Sequence, residues 1–303
     1  MDSIWSHVVE YLNLDPQANL AGMELFITLA VVGACVGVLT GLFGVGGGFL
    51  NVPIMTSFFG ISYVTAVATS TSLIIGTSSA GLGKHLRKGN IDFQVVFILA
   101  GGSMLGAIAG DYLQDWLLAT VAKNDATIFD PVMNGLYILL LAVTGYLVWK
   151  GRPEADNKQS FLQKIPFGPR LSIKSTGMDN VSLFGLIALS FMIGITAGIF
   201  GVGGGIFFVP VMILFLGMPT HKAVGTSVML VLITAIISTL KKGSAGKASL
   251  PLVMSFLVGS SIGVQYGVHL CNKLQAKKLK KYFVLVVILA IALVARKLFT
   301  QLV

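Results

Sequence analysis

The sequence predicts an all-α polytopic membrane protein built from two homologous repeats of about five helices each, inverted relative to one another, with glycine-rich helices that are broken or re-entrant. Three observations lead there. Of 303 residues, 55% are hydrophobic and only 11% charged, too little charge to clothe a soluble domain of that size. Long apolar stretches recur along the whole chain, each near the 20 or so helical residues that cross hydrocarbon. One phrase is written twice, Gly41-Leu42-Phe43-Gly44-Val45-Gly46-Gly47-Gly48 and Gly198-Ile199-Phe200-Gly201-Val202-Gly203-Gly204-Gly205, each with Val-Pro shortly after it (Val52-Pro53 and Val209-Pro210).

The offset between copies is 157 residues and holds without a gap from Gly37/Gly194 to Leu113/Leu270, with 27 identities in 77 positions. Such self-similarity indicates internal duplication. Its densest part is glycine, which helices otherwise avoid.

In order along the chain, residues 1–23 carry Asp2, Glu10 and Asp15 and lack a basic start followed by an apolar run, so no cleavable signal is expected. Predicted spans follow at 24–43, 62–83, 93–114 and 132–149. After a polar segment from Lys150 to Asp179 come 182–200, 222–240, 251–271 and 282–299. Two shorter apolar pieces, 46–59 and 203–217, begin within the glycine runs and are too short for an easy crossing. The chain therefore divides into residues 1–150, a first transmembrane repeat; 151–180, a polar cytoplasmic linker; and 181–303, a second transmembrane repeat.

Orientation follows from positive charge. Lys84-His85-Leu86-Arg87-Lys88, the central linker and the lysines from Lys273 to Lys281 should face the cytoplasm, and the acidic start and the 115–130 loop the outside. If the short pieces also cross, each copy has five helices and the copies are inverted. The competing arrangement has four spans per copy, each glycine segment a re-entrant hairpin, and parallel copies. Lys241, Lys242 and Lys247 would fall outside in the inverted arrangement, against the charge rule. The net charge of +9 reflects these helix ends and loops; nucleic acid is not an expected partner.

Glycines at every fourth position, Gly102, Gly106, Gly110 and Gly259, Gly263, Gly267, let helix backbones touch in lipid. Cys35 and Cys271 are too few for a disulfide framework or a metal cluster and read as small packing residues.

Chemistry points to the glycine runs. Each glycine weakens a helix by about 1 kcal/mol, so Gly44, Gly46, Gly47, Gly48 and Gly201, Gly203, Gly204, Gly205 should break it. A break at membrane depth is tolerated only where the freed backbone groups face protein, water or ligand. Side-chain-free amides can close on an anion as a concave nest, with the positive end of the following helix aimed at it. Val-Pro fits an early helical turn, placing the restart near 48–50 and 205–207.

The hydroxyl pairs Thr69-Ser70 and Thr226-Ser227 are shared by both copies and are candidate anion donors; alternatively they bond backbone carbonyls or neighbouring helices. Asn51 adds an amide or caps the broken helix. Lys84 and Lys241, at helix ends, attract anions or snorkel to headgroups. Asp111, the acidic residue inside a predicted span, is a candidate for coupling to a proton; interfacial solvation is the alternative.

The combined pattern, Gly-hydrophobic-Phe-Gly-Val-Gly-Gly-Gly-x3-Val-Pro followed by Ala223-Val224-Gly225-Thr226-Ser227, resembles the TauE/SafE-type sulfite exporters, also called TSUP permeases, over roughly residues 25–300. The resemblance implies transport of small sulfur-bearing anions such as sulfite, sulfonates or thiosulfate, or of related carboxylates. Its signature maps to Gly44 through Gly48, Pro53, Thr69 and Ser70, and to Gly201 through Gly205, Pro210, Thr226 and Ser227. Copy one departs in having Ala68 where copy two has Gly225.

The expectation is a secondary transporter in the bacterial inner membrane, working by alternating access around a site near the midplane. A channel lined by the same donors, or a carrier of small organic carboxylates, is the alternative. An enzyme is not expected, since the spans hold almost no His, Asp or Glu, and no cofactor or metal is implied. Partners are the anionic substrate, lipid, a coupling proton or sodium ion, and other copies of the chain.

Overall fold

The computed structural model describes residues 22–124, 128–150, 169–173, 178–244 and 246–302. The first repeat contributes α1 (Gly22–Phe43), α2 (Gly48–Phe58), α3 (Tyr63–Arg87), α4 (Phe93–Asn124) and α5 (Phe129–Lys150). The second contributes α6 (Leu183–Phe200), α7 (Gly205–Leu216), α8 (Thr220–Ser244), α9 (Leu250–Lys273) and α10 (Ala276–Leu302). Seven of these, all but α2, α3 and α7, are long and apolar enough to cross a membrane. The 25-residue α3 is as long as its counterpart α8, and both carry hydroxyls and a basic last turn. At 1.5 Å per residue, the 11 residues of α2 and 12 of α7 reach about half the hydrocarbon thickness.

Between the repeats, the sequence suggests only a linker. Residues 151–168 lie outside the described residues, but β1 (Arg170–Ile173) and β2 (Met178–Ser182) form an antiparallel pair, with Arg170 opposite Ser182. The buried Ile173 and Val181 seat this pair against the second repeat's core. Ser182 then starts α6, its hydroxyl accepting from the Gly185 N–H at 3.3 Å.

The short glycine-led helices are neither hairpins in themselves nor straight continuations. A Cβ on Gly47 would meet Thr40 and Val36, so the chain turns back against the last turns of α1, and α2 then leaves α1 to pack on α3 and α10 as the second arm of an open hairpin. Gly204 meets Ile193, the counterpart of Val36, in the same way. Each repeat is thus a hairpin followed by three long helices, α3–α5 or α8–α10.

Direction follows from two reciprocal contacts. Thr69, early in α3, accepts from the backbone N–H of Ser249, just beyond the end of α8. Thr226, early in α8, accepts from Asp92 N–H, just beyond the end of α3. The counterparts α3 and α8 therefore run antiparallel, and the repeats are inverted; the parallel four-plus-four arrangement is not adopted.

The repeats exchange partners. The first helix of each packs on the fourth of the other, α1 on α9 and α4 on α6, through the glycine stripes. A Cβ on Gly259, Gly263 or Gly267 would strike the α1 backbone at Ala30, Ala34 or Val38, and one on Gly102, Gly106 or Gly110 would strike α6 at Ile187, Phe191 or Ile195. Helices this close gain dispersion contacts that lipid does not offer.

Replacing Gly106 or Gly263 with Val should therefore push these helices apart. Overpacking of this kind costs about 1–3 kcal/mol, read as a lower unfolding temperature of the detergent-solubilised protein. The exposed Gly101, whose Cβ meets nothing within 4 Å, should accept Val with little change.

Candidate functional site

The site begins where two chain reversals meet. Gly44, Gly46 and Gly47, and their counterparts Gly201, Gly203 and Gly204, all have φ between +64° and +81°, the left-handed region that side chains disfavour. This allows α1 to end at Phe43 and α2 to start at Gly48 within four residues. The restarts at Gly48 and Gly205 match the sequence expectation.

The turns touch each other. A Cβ on Gly48 would lie 2.6 Å from the Val202 Cα, and one on Gly205 would lie 2.6 Å from the Val45 Cα. Contacts related in this way lie on the pseudo-twofold axis of the inverted repeats, midway between the two faces. Gly44 through Gly48 and Gly201 through Gly205 are all buried.

Reversal in an apolar setting frees carbonyls and amides, and the two sets have different fates. The carbonyls of the left-handed glycines are taken, while those of Val45 and Val202 meet no donor among the described residues. Ser70 Oγ donates to Gly201 O at 2.8 Å and Ser227 Oγ to Gly44 O at 2.9 Å, each across the repeat boundary. Thr77 Oγ1 donates to Gly46 O at 3.1 Å and Thr234 Oγ1 to Gly203 O at 2.8 Å, each within its own repeat. Gly47 O and Gly204 O accept the first amides of α2 and α7.

The amides are not taken. Among the described residues, no acceptor meets the backbone N–H of Val45 through Phe49 or of Val202 through Ile206. What remains at the centre is two runs of donors backed by two helix N-termini, the electrostatic signature of an anion site.

The hydroxyl candidates divide. Ser70 and Ser227 sit at the turns, with their protons directed to carbonyls. Thr69 and Thr226 are fully buried but act as acceptors for the 249 and 92 segments. In this conformation all four engage the backbone. Asn51 is buried in the first turn of α2, where its N–H closes on Gly47 O at 3.1 Å. Thr77 and Thr234 were not singled out from the sequence, although they are identical at the repeat offset and two turns beyond Ser70 and Ser227.

Val-Pro requires a different account from an early-turn proline. Pro53 is the sixth residue of α2, so its missing N–H breaks an internal bond to Phe49 O. The Tyr137 hydroxyl donates to that carbonyl at 3.0 Å, repairing the gap from α5.

Asp111 is 1% exposed and pairs with Lys242, itself 5% exposed, at 2.7 Å between Nζ and Oδ1. Ser238 adds a 3.4 Å bond to the same oxygen. Lys242 also donates to Gly198 O at 2.6 Å, the last turn before the second reversal. Asp111 Oδ2 has no partner among the described residues. Lys241 and Lys247 pair with Asp115 at 3.2 and 2.6 Å. The three lysines that oppose the charge rule are thus paired with two carboxylates of α4, which offset two of the three charges. Lys84, the counterpart of Lys241, instead donates to Gln265 O at 2.8 Å.

Comparison with known proteins agrees with this architecture. Residues 29–294 match the family described as Sulfite exporter TauE/SafE. A probable membrane transporter protein of Xylella fastidiosa (strain 9a5c) is 29% identical over 275 residues, covering 88% of this chain and 92% of its own. The probable membrane transporter protein YunE of Bacillus subtilis is 24% identical over 87% of this chain and 95% of its own. One from Haemophilus influenzae is 29% identical over 88% and 97%. No solved structure matches the chain.

Lys242→Ala should destabilise by about 3–5 kcal/mol, since it leaves a carboxylate buried alone. The double replacement Lys242→Met with Asp111→Leu should recover most of that. Thermal unfolding of both variants checks it; a single variant no worse than the double would show the pair to be unimportant.

Proposed function

The chain belongs to the TauE/SafE sulfite exporter family, and from that premise we propose that it is a secondary transporter of small sulfur-containing anions, such as sulfite, sulfonates or thiosulfate. It acts as a permease in the cell membrane rather than as an enzyme. Membrane transport itself is supported by the family, by the relatives' names and by the seven apolar helices.

The observation that carries the finer reading is the unequal treatment of backbone groups at the paired turns. Four hydroxyls quench glycine carbonyls, which would repel an anion, while two runs of amides stay available. Moving a small anion from water into such surroundings unaided costs tens of kcal/mol. Four to six charge-assisted bonds of about 1.5–3 kcal/mol each offset much of that. A cation would meet the positive ends of α2 and α7 instead.

The inverted relation of the repeats suits alternating access, since a site on the pseudo-twofold axis is equally related to both faces. Asp111 is the proposed coupling position. One carboxylate oxygen is held by Lys242 and the other is left to receive a proton, and Lys242 reaches Gly198 O at the base of the second turn. Orientation follows from the basic loops after α3 and α9 facing the cytoplasm.

Gly47→Leu and Gly204→Leu force a side chain into left-handed backbone against Thr40 and Ile193 respectively. Each should abolish anion-dependent thermal stabilisation and liposome flux while the protein still inserts and purifies. Normal flux through both variants would refute the amide site. Asp111→Asn should remove the pH dependence of flux; coupling that persists would assign the proton elsewhere. Saturable counterflow supports a carrier, and ohmic single-channel current would make the protein a channel.

A further inference from the structure

The two reversals share their backbone but differ in the side chains around them. At the first, a Cβ on Gly46 would lie 3.5 Å from Ser78 Oγ, and one on Gly47 would meet Thr40 Oγ1. At the second, the atoms nearest a Cβ on Gly203 are carbons of Val231 and Ile74, and one on Gly204 would lie 2.9 Å from the Phe208 ring. By the repeat offset of 157 residues, Ser78 is matched by Ala235, Thr40 by Ala197 and Asn51 by Phe208. All six are buried. Three polar side chains near one turn thus stand where the other has two methyls and a ring.

Ser78 differs from the hydroxyls that quench the carbonyls. Thr69, Ser70, Thr71 and Thr77, the other buried serines and threonines of α3, each bond a backbone group. Thr40 donates to Val36 O at 2.8 Å. Ser78 Oγ is shielded from solvent and meets no partner among the described residues. A helical serine can donate to the carbonyl of the preceding turn, and a buried hydroxyl left unmet is destabilising, so an unsatisfied one asks for a partner. It lies beside Gly46, whose own N–H is among the amides without an acceptor. Unclaimed donors of two kinds, a main-chain run and a side-chain hydroxyl, therefore meet at the first turn and not at the second.

We propose that Ser78 is a side-chain donor to the transported anion, which is therefore seated off the pseudo-twofold axis, against the first turn. This rests on the amide-site reading given above and adds which turn holds the anion and through which side chain. A hydroxyl that donates to a charged oxygen makes one of the stronger hydrogen bonds where water is excluded. At the second turn Ala235 offers no donor, and the Phe208 ring stands on Gly204. Repeats that are equivalent in backbone then have unequal parts in binding, and the selective contact comes from the first.

The mirror position supplies the test. Buried Ala235 shows that this architecture packs with a methyl there, so Ser78→Ala should fold, and without anion its unfolding temperature should not fall. In calorimetric titration of the purified full chain with sulfite, and separately with thiosulfate, Ser78→Ala should weaken binding about ten- to a hundredfold, the loss expected for one charge-assisted bond. Ala235→Ser should bind as the wild type does, and the double variant as weakly as Ser78→Ala. Ser78→Cys, nearly isosteric with a weaker donor, gives the same reading should the alanine variant not fold. Wild-type affinity in the Ser78 variants would overturn the proposal while leaving the amide site standing. Recovery of affinity in the double variant would put the anion on the axis and overturn the off-axis seat. An anion-free unfolding temperature that drops along with affinity would make Ser78 a packing residue and overturn its role as donor. A wild type that binds neither anion would sink both readings.

Discussion

Reversing a polypeptide inside an apolar protein exposes polar backbone that no water can reach, and the rest of this molecule is arranged around that constraint. Each buried unpaired carbonyl or amide costs on the order of 1–3 kcal/mol. The carbonyls of Gly44, Gly46, Gly201 and Gly203 are met by hydroxyls held on α3 and α8, and two of those hydroxyls come from the opposite repeat. Neither repeat can therefore complete its own turn. The duplication is structurally obligatory, because Ser70 serves Gly201 and Ser227 serves Gly44.

The exchange extends to the long helices. Pairing α1 with α9 and α4 with α6 places the first and fourth helices of different repeats in backbone contact, so the turns rest at the ends of two close-packed pairs. Gly41, in the last turn of α1, lies against Val264, and Gly198, in the last turn of α6, lies against Ala107. These two close-packed pairs fix the position of the turns and of the amide runs in them.

Much of this was legible in the sequence, and the remainder failed for identifiable reasons. Glycine runs at a constant offset announced both the duplication and the breaks, since few other causes put four glycines in six residues of a membrane segment. Fold-back was legible only as one of two alternatives, broken or re-entrant, because the choice lies in the positive φ of Gly44, Gly46 and Gly47, which composition does not encode. Ser70 and Ser227 read equally as anion donors or as partners of backbone carbonyls, and their protons go to carbonyls across the repeat boundary, a partner that depends on tertiary pairing. Lys242 read as a violation of the charge rule because its partner, Asp111, lies over a hundred residues away. The β1–β2 pair was hidden in a segment whose prolines and charges read only as linker.

The differences between repeats carry information that their identities do not. On the face where α8 ends, Lys242 meets Asp111 and Lys247 meets Asp115. By the same offset the other face offers His85 against Val268 and a neutral pair, Asn90 to Asn272 at 3.3 Å. Ring packing does not distinguish them: Tyr137 stands edge-on to Phe200 at 5.5 Å on one side, and Phe283 edge-on to Phe43 at 5.2 Å on the other. Ion pairs between helix ends are stronger than an amide pair when sheltered from water, so the two faces are unequally fastened. A perfectly symmetric inverted repeat would have no preferred side. Here the charged fastening falls on one face alone, so the two faces are unequally held. Among the described residues the one buried carboxylate, Asp111, lies among those fastenings, held by Lys242 at the end of α8 on that face.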